Sequence, residues 1–239
     1  MPRFFCDDIN GDHISITGTD ARHIGRSLRM RLGDEITVCS QGIEYRSRIL
    51  TISDEEVSCE VLGKAPSENE ANISLTLFQA LPKGDKLEFI IQKAAELGVK
   101  RVCPVLTSRC VSRPDKKGFD KKLERLRRIA LEACKQSGRA QLVEITPLLS
   151  FEECINEMKT MEKELMCYEK GGISMSEAGL SAGQSIGLLI GSEGGFDDAE
   201  AELAQSSGMT LIGLGKRILR CETAPIAAAS IIMHLTGNM

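Results

Sequence analysis

The sequence predicts an α/β protein: a small β-barrel over residues 1–70, then an open parallel sheet with helices on both faces over residues 71–239. Three observations carry this. Between residues 13 and 63 four short runs rich in β-branched residues, "HISIT", "EITVCS", "EYRSRILTIS" and "EVSCEVLG", are separated by the turn-forming "GDE", "QG" and "SDEE". Further along, strand-like and helix-like segments alternate, which is the pattern of a parallel sheet. Between the two textures lies "KAPSENEAN", residues 64–72, polar, carrying a proline and without periodicity, which reads as a linker.

Taken in order, a helix is expected at residues 21–29, with Thr19 or Asp20 as its N-cap. "ISLTLFQAL" reads as a buried strand, followed by a helix at 86–97 that stops at Gly98. "VKRVCPVLT" is the next strand, then come a long helix at 120–137 and a shorter one at 151–161. "ELMCYE" and "SIGLLIG" are strands, "DDAEAELAQSSG" a helix, "TLIGLG" a strand and "TAPIAAASIIMHL" the last helix.

At 239 residues, 42% apolar and 27% charged, the composition is that of an ordinary globular protein with a substantial core. No run of 18 apolar residues predicts a membrane span, and neither terminus reads as a secretory or lipidation signal. Nine scattered cysteines without a C-x-x-C pair, and only three histidines, predict no metal site and point to reduced thiols in a cytoplasmic protein. The net charge of −4 conceals two basic clusters. Arg22, Arg26, Arg29 and Arg31 occur with His23 and no acid, and seven basic residues fall between Lys116 and Arg128 against Asp120 and Glu124. Either cluster alone reads equally well as a solvated face; the two together suggest a polyanion.

Two loops stand out. "GSEGGF" follows a strand and precedes a helix, where a nucleotide loop would lie. Yet Asp197 and Glu200 have the spacing of a capping box, so the helix amides are expected to be satisfied internally. The loop brings no lysine and several carboxylates, and it matches neither G-x-G-x-x-G nor G-x-x-x-x-G-K-[ST], so a triphosphate is disfavoured. Glycines still allow close approach to a flat, neutral or cationic ligand, or they serve only a tight turn. In the second loop, "LGKRILRCETAP", Lys216, Arg217 and Arg220 bracket the apolar Ile218 and Leu219, and Glu222 or Thr223 can cap the helix that follows. The apolar pair either covers a ring such as adenine or folds into the core.

Four segments, "HIGRSLRMRLGD" (23–34), "KGDKLEFIIQKAAELGV" (83–99), "IGSEGGF" (190–196) and "LGKRILRCETA" (214–224), together resemble the ribosomal RNA small-subunit methyltransferase E family of the SPOUT superfamily. The tract "ERLRRIALEACKQSGR" (124–139) agrees. The family usually has proline at the position of Ser192 and an aliphatic residue at that of Ser27. The resemblance implies a PUA-like β-barrel at 1–70 that binds RNA, and at 71–239 an α/β methyltransferase domain with a trefoil knot. It implies a homodimer using S-adenosyl-L-methionine (AdoMet) to methylate N3 of a uridine in 16S rRNA, with the assembled 30S subunit as substrate.

By the same resemblance, AdoMet is held around Leu189, Ile190, Gly191, Glu193, Gly194 and Gly195, and around Leu214, Gly215, Lys216, Ile218, Leu219 and Arg220. Arg220, then Arg217, is the candidate for stabilising the anion that forms as N3 loses its proton. Glu193, Glu222 or water accepts that proton. RNA phosphates are expected at Arg22, Arg26 and Arg29, and at Lys121, Lys122, Arg125 and Arg128. A ribose 2′-O-methyltransferase and a non-catalytic ribosome-assembly factor are the competing readings.

Overall fold

A computed structural model describes residues 1–239, the side chain of Lys116 excepted. The backbone divides into two units, Met1–Glu70 with Cys134–Leu142, and Ala71–Ala133 with Val143–Met239.

In the first unit β1 (Arg3–Phe5), β2 (Ile9–Asn10), β3 (His13–Thr17), β4 (Glu35–Ser40), β5 (Ile43–Ile52) and β6 (Glu56–Pro66) form a sheet in the order β1-β4-β5-β6-β3-β2. Only β1 and β4 pair in parallel. Alternation puts Ile14, Ile16, Ile36, Val38, Ile49 and Val57 into one apolar cluster. Helix α1 (Gly18–Arg22) closes it with Ala21, and Ile24 of the following turn joins it.

Three expectations change here. The helix starts at Gly18, its N-cap is Thr17, and no side chain caps it, so Thr19 and Asp20 lie inside. Residues His23–Ser27 then widen into a π-helical turn, with the Leu28 amide donating to the His23 carbonyl (2.9 Å). The linker is shorter than its composition suggests, because β5 is ten residues long and keeps β6 paired through Lys64, Ala65 and Pro66. Pro66 is tolerated because this end of β6 pairs with β5 alone and so lies on an edge.

The return of Cys134–Leu142 to this unit rests on Glu70. Its carboxylate accepts the Arg139 guanidinium (2.9 and 3.2 Å) and the amides of Ala140 and Gln141 (2.8 and 2.9 Å). The Arg139 side chain is 3% exposed. Residues 71–239 therefore do not all belong to one compact unit, a long-range pairing that no local pattern announces.

The second unit carries β7 (Ser74–Ala80), α2 (Lys86–Glu96), β8 (Arg101–Leu106), α3 (Lys116–Ser137, whose residues from Cys134 onward count with the first unit), β9 (Glu144–Ile145), β10 (Leu149–Ser150), α4 (Phe151–Met158), β11 (Lys163–Cys167), β12 (Ser185–Ile190), α5 (Asp198–Ser206), β13 (Thr210–Ile212) and α6 (Thr223–Leu235). All pairings are parallel, in the order β10-β8-β7-β12-β11-β13, with β9 beside β8. Cross-strand neighbours Phe78, Cys103, Leu189 and Met166 enter a cluster with Cys154, Ile155 and Met158 of α4 and Ala201 and Ala204 of α5. Their strand neighbours Leu77, Val102, Leu188 and Leu165 are buried and point the other way. Helices α2 and α6 touch one another. The nine cysteines are free thiols, seven of them buried. No helix among the described residues is long and apolar enough to cross a membrane.

Candidate active site

Because the sheet is parallel, the C-terminal ends of its strands lie along one edge. The order β12-β11-β13 then sets the loop after β11 between the two loops singled out in the sequence. Together they line a cavity of about 560 Å³. One wall is Ile190–Phe196, a second Ile212–Cys221 with Ala224, and a third Cys167, Tyr168, Glu169 and Gly171.

The first wall is a tight turn, with the Gly195 amide donating to the Ser192 carbonyl (3.0 Å). Gly195 has φ +63°, and a Cβ added there would stand 2.7 Å from Glu169 Oε1. Buried Gln79 at the end of β7 donates to the Gly191 carbonyl (3.2 Å), and Arg109 donates to the Gly194 carbonyl (2.9 Å). Ser192 is buried and donates weakly to the Arg109 carbonyl (3.5 Å). Past the turn, Asp197 Oδ1 accepts the Glu200 amide (2.7 Å) and Glu200 accepts the Asp197 amide (3.2 Å). This is the capping box that the D-x-x-E spacing predicts.

In the second wall Lys216, Arg217 and Arg220 are exposed, and no carboxylate partner is found for them among the described residues. Ile218 is 84% exposed, so this residue does not fold into the core. Glu222 occupies the N-cap of α6 without capping it, contrary to the sequence reading. Its carboxylate instead accepts the Cys221 thiol (3.1 Å) and meets Lys86 Nζ (3.2 Å).

Lys86, on the first turn of α2, also meets Glu193 Oε1 (3.0 Å), which accepts the Lys83 amide as well (3.1 Å). One ammonium therefore joins the two motif loops. Bonds to Glu193 and then Glu222 hold the lysine pKa above its ordinary value. Partial burial alone would raise the Glu193 carboxyl, but its own amide, Lys86 and the Lys83 amide bring it below the usual range. The Cys221 thiol, then its own amide and Lys86, bring Glu222 below the usual range. Burial and the bond to Glu222 push the Cys221 thiol up to about 12. A carboxylate stabilised as its anion is a weaker proton acceptor, which counts against Glu193 and Glu222 as general bases.

Of the residues expected at this site, Ile190, Gly191, Glu193, Gly194, Gly195, Leu214, Gly215, Lys216, Arg217, Ile218, Leu219 and Arg220 line the cavity. Leu189 does not; its side chain belongs to the core beneath. Sequence reasoning missed Lys86 and the third wall. The pair Gly171–Gly172 directly after a strand was the available signal for the latter.

The basic residues divide between the units. Arg22 and Arg29 are exposed on the first, whereas Arg26 is ion-paired with Asp54. On α3, Lys121, Arg125 and Arg128 share one face by helical spacing. Arg125 pairs with Glu88 (2.8 Å) and Lys122 donates to the Gly84 carbonyl (3.2 Å). Three of the seven candidate phosphate contacts are thus already engaged within the protein.

An RNA methyltransferase domain model matches residues 69–233, and an RNA methyltransferase PUA domain model residues 16–62. The chain is similar to the ribosomal RNA small subunit methyltransferase E of Bacillus subtilis, 40% identical over 93% of this chain and 90% of the relative. It is 33% identical to that of a Synechocystis species over 93% of this chain and 73% of the relative. Among solved structures, the Neisseria gonorrhoeae enzyme of the same name, bound to S-adenosyl methionine, superposes with a TM-score of 0.89. The identity is 29%, over 99% of this chain and 98% of that one.

Proposed function

The chain belongs to the ribosomal RNA small subunit methyltransferase E family, and on that footing we propose that it transfers the methyl group of AdoMet to N3 of a uridine in 16S rRNA within the assembled 30S subunit. The observation that carries this reading is the meeting of both motif loops in one cavity at the C-terminal edge of the sheet.

The residues present fit AdoMet. Glycine backbone on two walls leaves room for a flat heterocycle, Ile190, Ile212, Leu214 and Leu219 offer apolar cover, and Lys216, Arg217 and Arg220 suit the carboxylate of an amino-acid tail. Bound there, AdoMet supplies an electrophilic methyl on a sulfonium. The protein's share is positioning and charge. Arg220, with Arg217 second, faces O2 or O4 of the uracil and stabilises the negative charge that grows as N3 loses its proton. Glu193 and Glu222, tied to Lys86, brace the loops, and water takes the proton.

In this reading residues 1–70 are the RNA-binding PUA-like domain and 71–239 the methyltransferase domain, in a cytoplasmic homodimer. Arg22, Arg29, Lys121 and Arg128 contact phosphate directly, while Arg26, Lys122 and Arg125 do so after exchanging internal partners. A trefoil knot is part of the same reading. In its support, Gly172 lies so close to the Leu211–Ile212 backbone that a Cβ would stand 2.4 Å from the Leu211 carbonyl oxygen, and Ile173 bridges to Ile212.

The test uses 30S subunits from a strain lacking the activity, incubated with the protein and methyl-labelled AdoMet, with the labelled nucleoside identified by mass spectrometry. Label in 3-methyluridine is expected. Label in a ribose-methylated nucleoside overturns the substrate and keeps the cofactor. Absence of both label and AdoMet binding favours an assembly factor.

A further inference from the structure

The cavity contains two carboxylates of different standing. Glu193 is ion-paired with Lys86. Glu169, on the loop after β11, lines the same cavity, and among the described residues nothing donates to it or pairs with it. The nearest cation in sequence is engaged elsewhere, since Lys170 pairs with Asp198, which also accepts the Tyr168 hydroxyl (2.8 Å). Arg109, the guanidinium behind the glycine turn, donates to the Gly194 carbonyl.

The Glu169 carboxylate lies against the glycine turn. Its oxygens lie 2.7 and 3.0 Å from where a Gly195 Cβ would be, so only glycine at 195 lets it rest against the turn. It also lies between the two motif loops, because β11 separates β12 from β13. An exposed carboxylate resting against the glycine turn, without a donor, on the wall of a nucleoside-sized cavity is an acceptor open to ligand donors.

We propose that Glu169 is a cofactor-binding residue whose carboxylate accepts hydrogen bonds from donor groups of AdoMet, either the ribose diol or the ammonium of the methionine tail. This rests on the AdoMet reading above. A carboxylate accepts from a ribose hydroxyl, as acidic residues do in dinucleotide folds, and it takes an ammonium as a charge-assisted pair.

The test is calorimetric titration of the intact protein and its Glu169→Gln and Glu169→Ala variants with AdoMet and with 5′-methylthioadenosine, which keeps the ribose and lacks the amino-acid tail. Both variants should keep the wild-type unfolding midpoint, since Glu169 has no internal partner to lose. AdoMet affinity should fall roughly 10- to 100-fold, the range for a hydrogen bond to a charged group. An equal loss for 5′-methylthioadenosine assigns the contact to the ribose, and a loss for AdoMet alone assigns it to the ammonium. Unchanged AdoMet affinity in folded variants overturns the proposal while leaving the methyltransferase reading in place. Failure of the wild-type protein to bind either compound overturns that reading, and this proposal with it.

Discussion

Replacing Gly195 by alanine tests the glycine turn most directly. At φ +63° an L-residue pays conformational energy of about 1–2 kcal/mol relative to the right-handed region. The added Cβ also meets Glu169 Oε1 at 2.7 Å, but that side chain is exposed and has no internal hydrogen bond, so it swings aside at little cost. The conformational part dominates. It emerges in one of two places: if the turn keeps its shape without ligand, folding stability falls by about 1–2 kcal/mol. If the turn relaxes, stability is spared and AdoMet must restore the shape on binding, weakening affinity roughly 5- to 30-fold. Denaturant unfolding and calorimetric titration on one preparation measure both, and their sum is the expected quantity. The same sum should persist when Gly195→Ala is made in a Glu169→Ala background, where no carboxylate is left to clash. A sum within about 0.3 kcal/mol of zero, or one that disappears in that background, would refute the conformational argument.

Other perturbations probe other parts of the molecule. Phe196→Ala empties a fully buried site beside Phe151 (ring centroids 6.3 Å apart) and should cost about 3–5 kcal/mol in denaturant unfolding. Lys86→Met leaves Glu193 and Glu222 facing each other without their shared cation, so KM for AdoMet should rise more than kcat falls, and Lys86→Arg should recover much of it. The Glu193 and Glu222 carboxyls are lowered from 4.5 in the folded protein, so their stabilisation is complete above that value and is lost as pH falls through the lowered ones. The unfolding temperature should accordingly hold steady from neutral pH and decline only below about 4.5. Reversing charge at Arg26 and Arg29 together should weaken RNA binding and reduce its salt dependence, with AdoMet affinity unchanged; equal loss of both would indicate misfolding instead.

Local chemistry was legible in the sequence where it acts over a few residues. The capping box at Asp197 and Glu200 is such a case, since a four-residue spacing suffices to satisfy two amides. The last helix, Thr223–Leu235, is another, with proline tolerated in its first turn and alanines concentrated in its first half. The cap of α6 was misread for an equally physical reason: Glu222 had a stronger partner in Lys86, which lies in a different motif. The widening of α1 at His23–Ser27 left no signature, because its hydrogen bonds differ from those of an α-helix by one residue in register.

By itself the sequence determined the alternation that makes a parallel sheet, the two motif loops and the mixed charge of the site. It did so because hydrophobic period, glycine placement and helix capping are short-range properties. Only the tertiary structure decided that β11 stands between β12 and β13, bringing Glu169 into the wall of the cavity. It alone decided that Lys86 bridges two distant carboxylates, and that Glu70 draws residues 134–142 back to the first unit. Those are choices among long-range pairings. Each depends on which strands lie side by side and which buried charge finds its counterion, and no window of neighbouring residues carries that information.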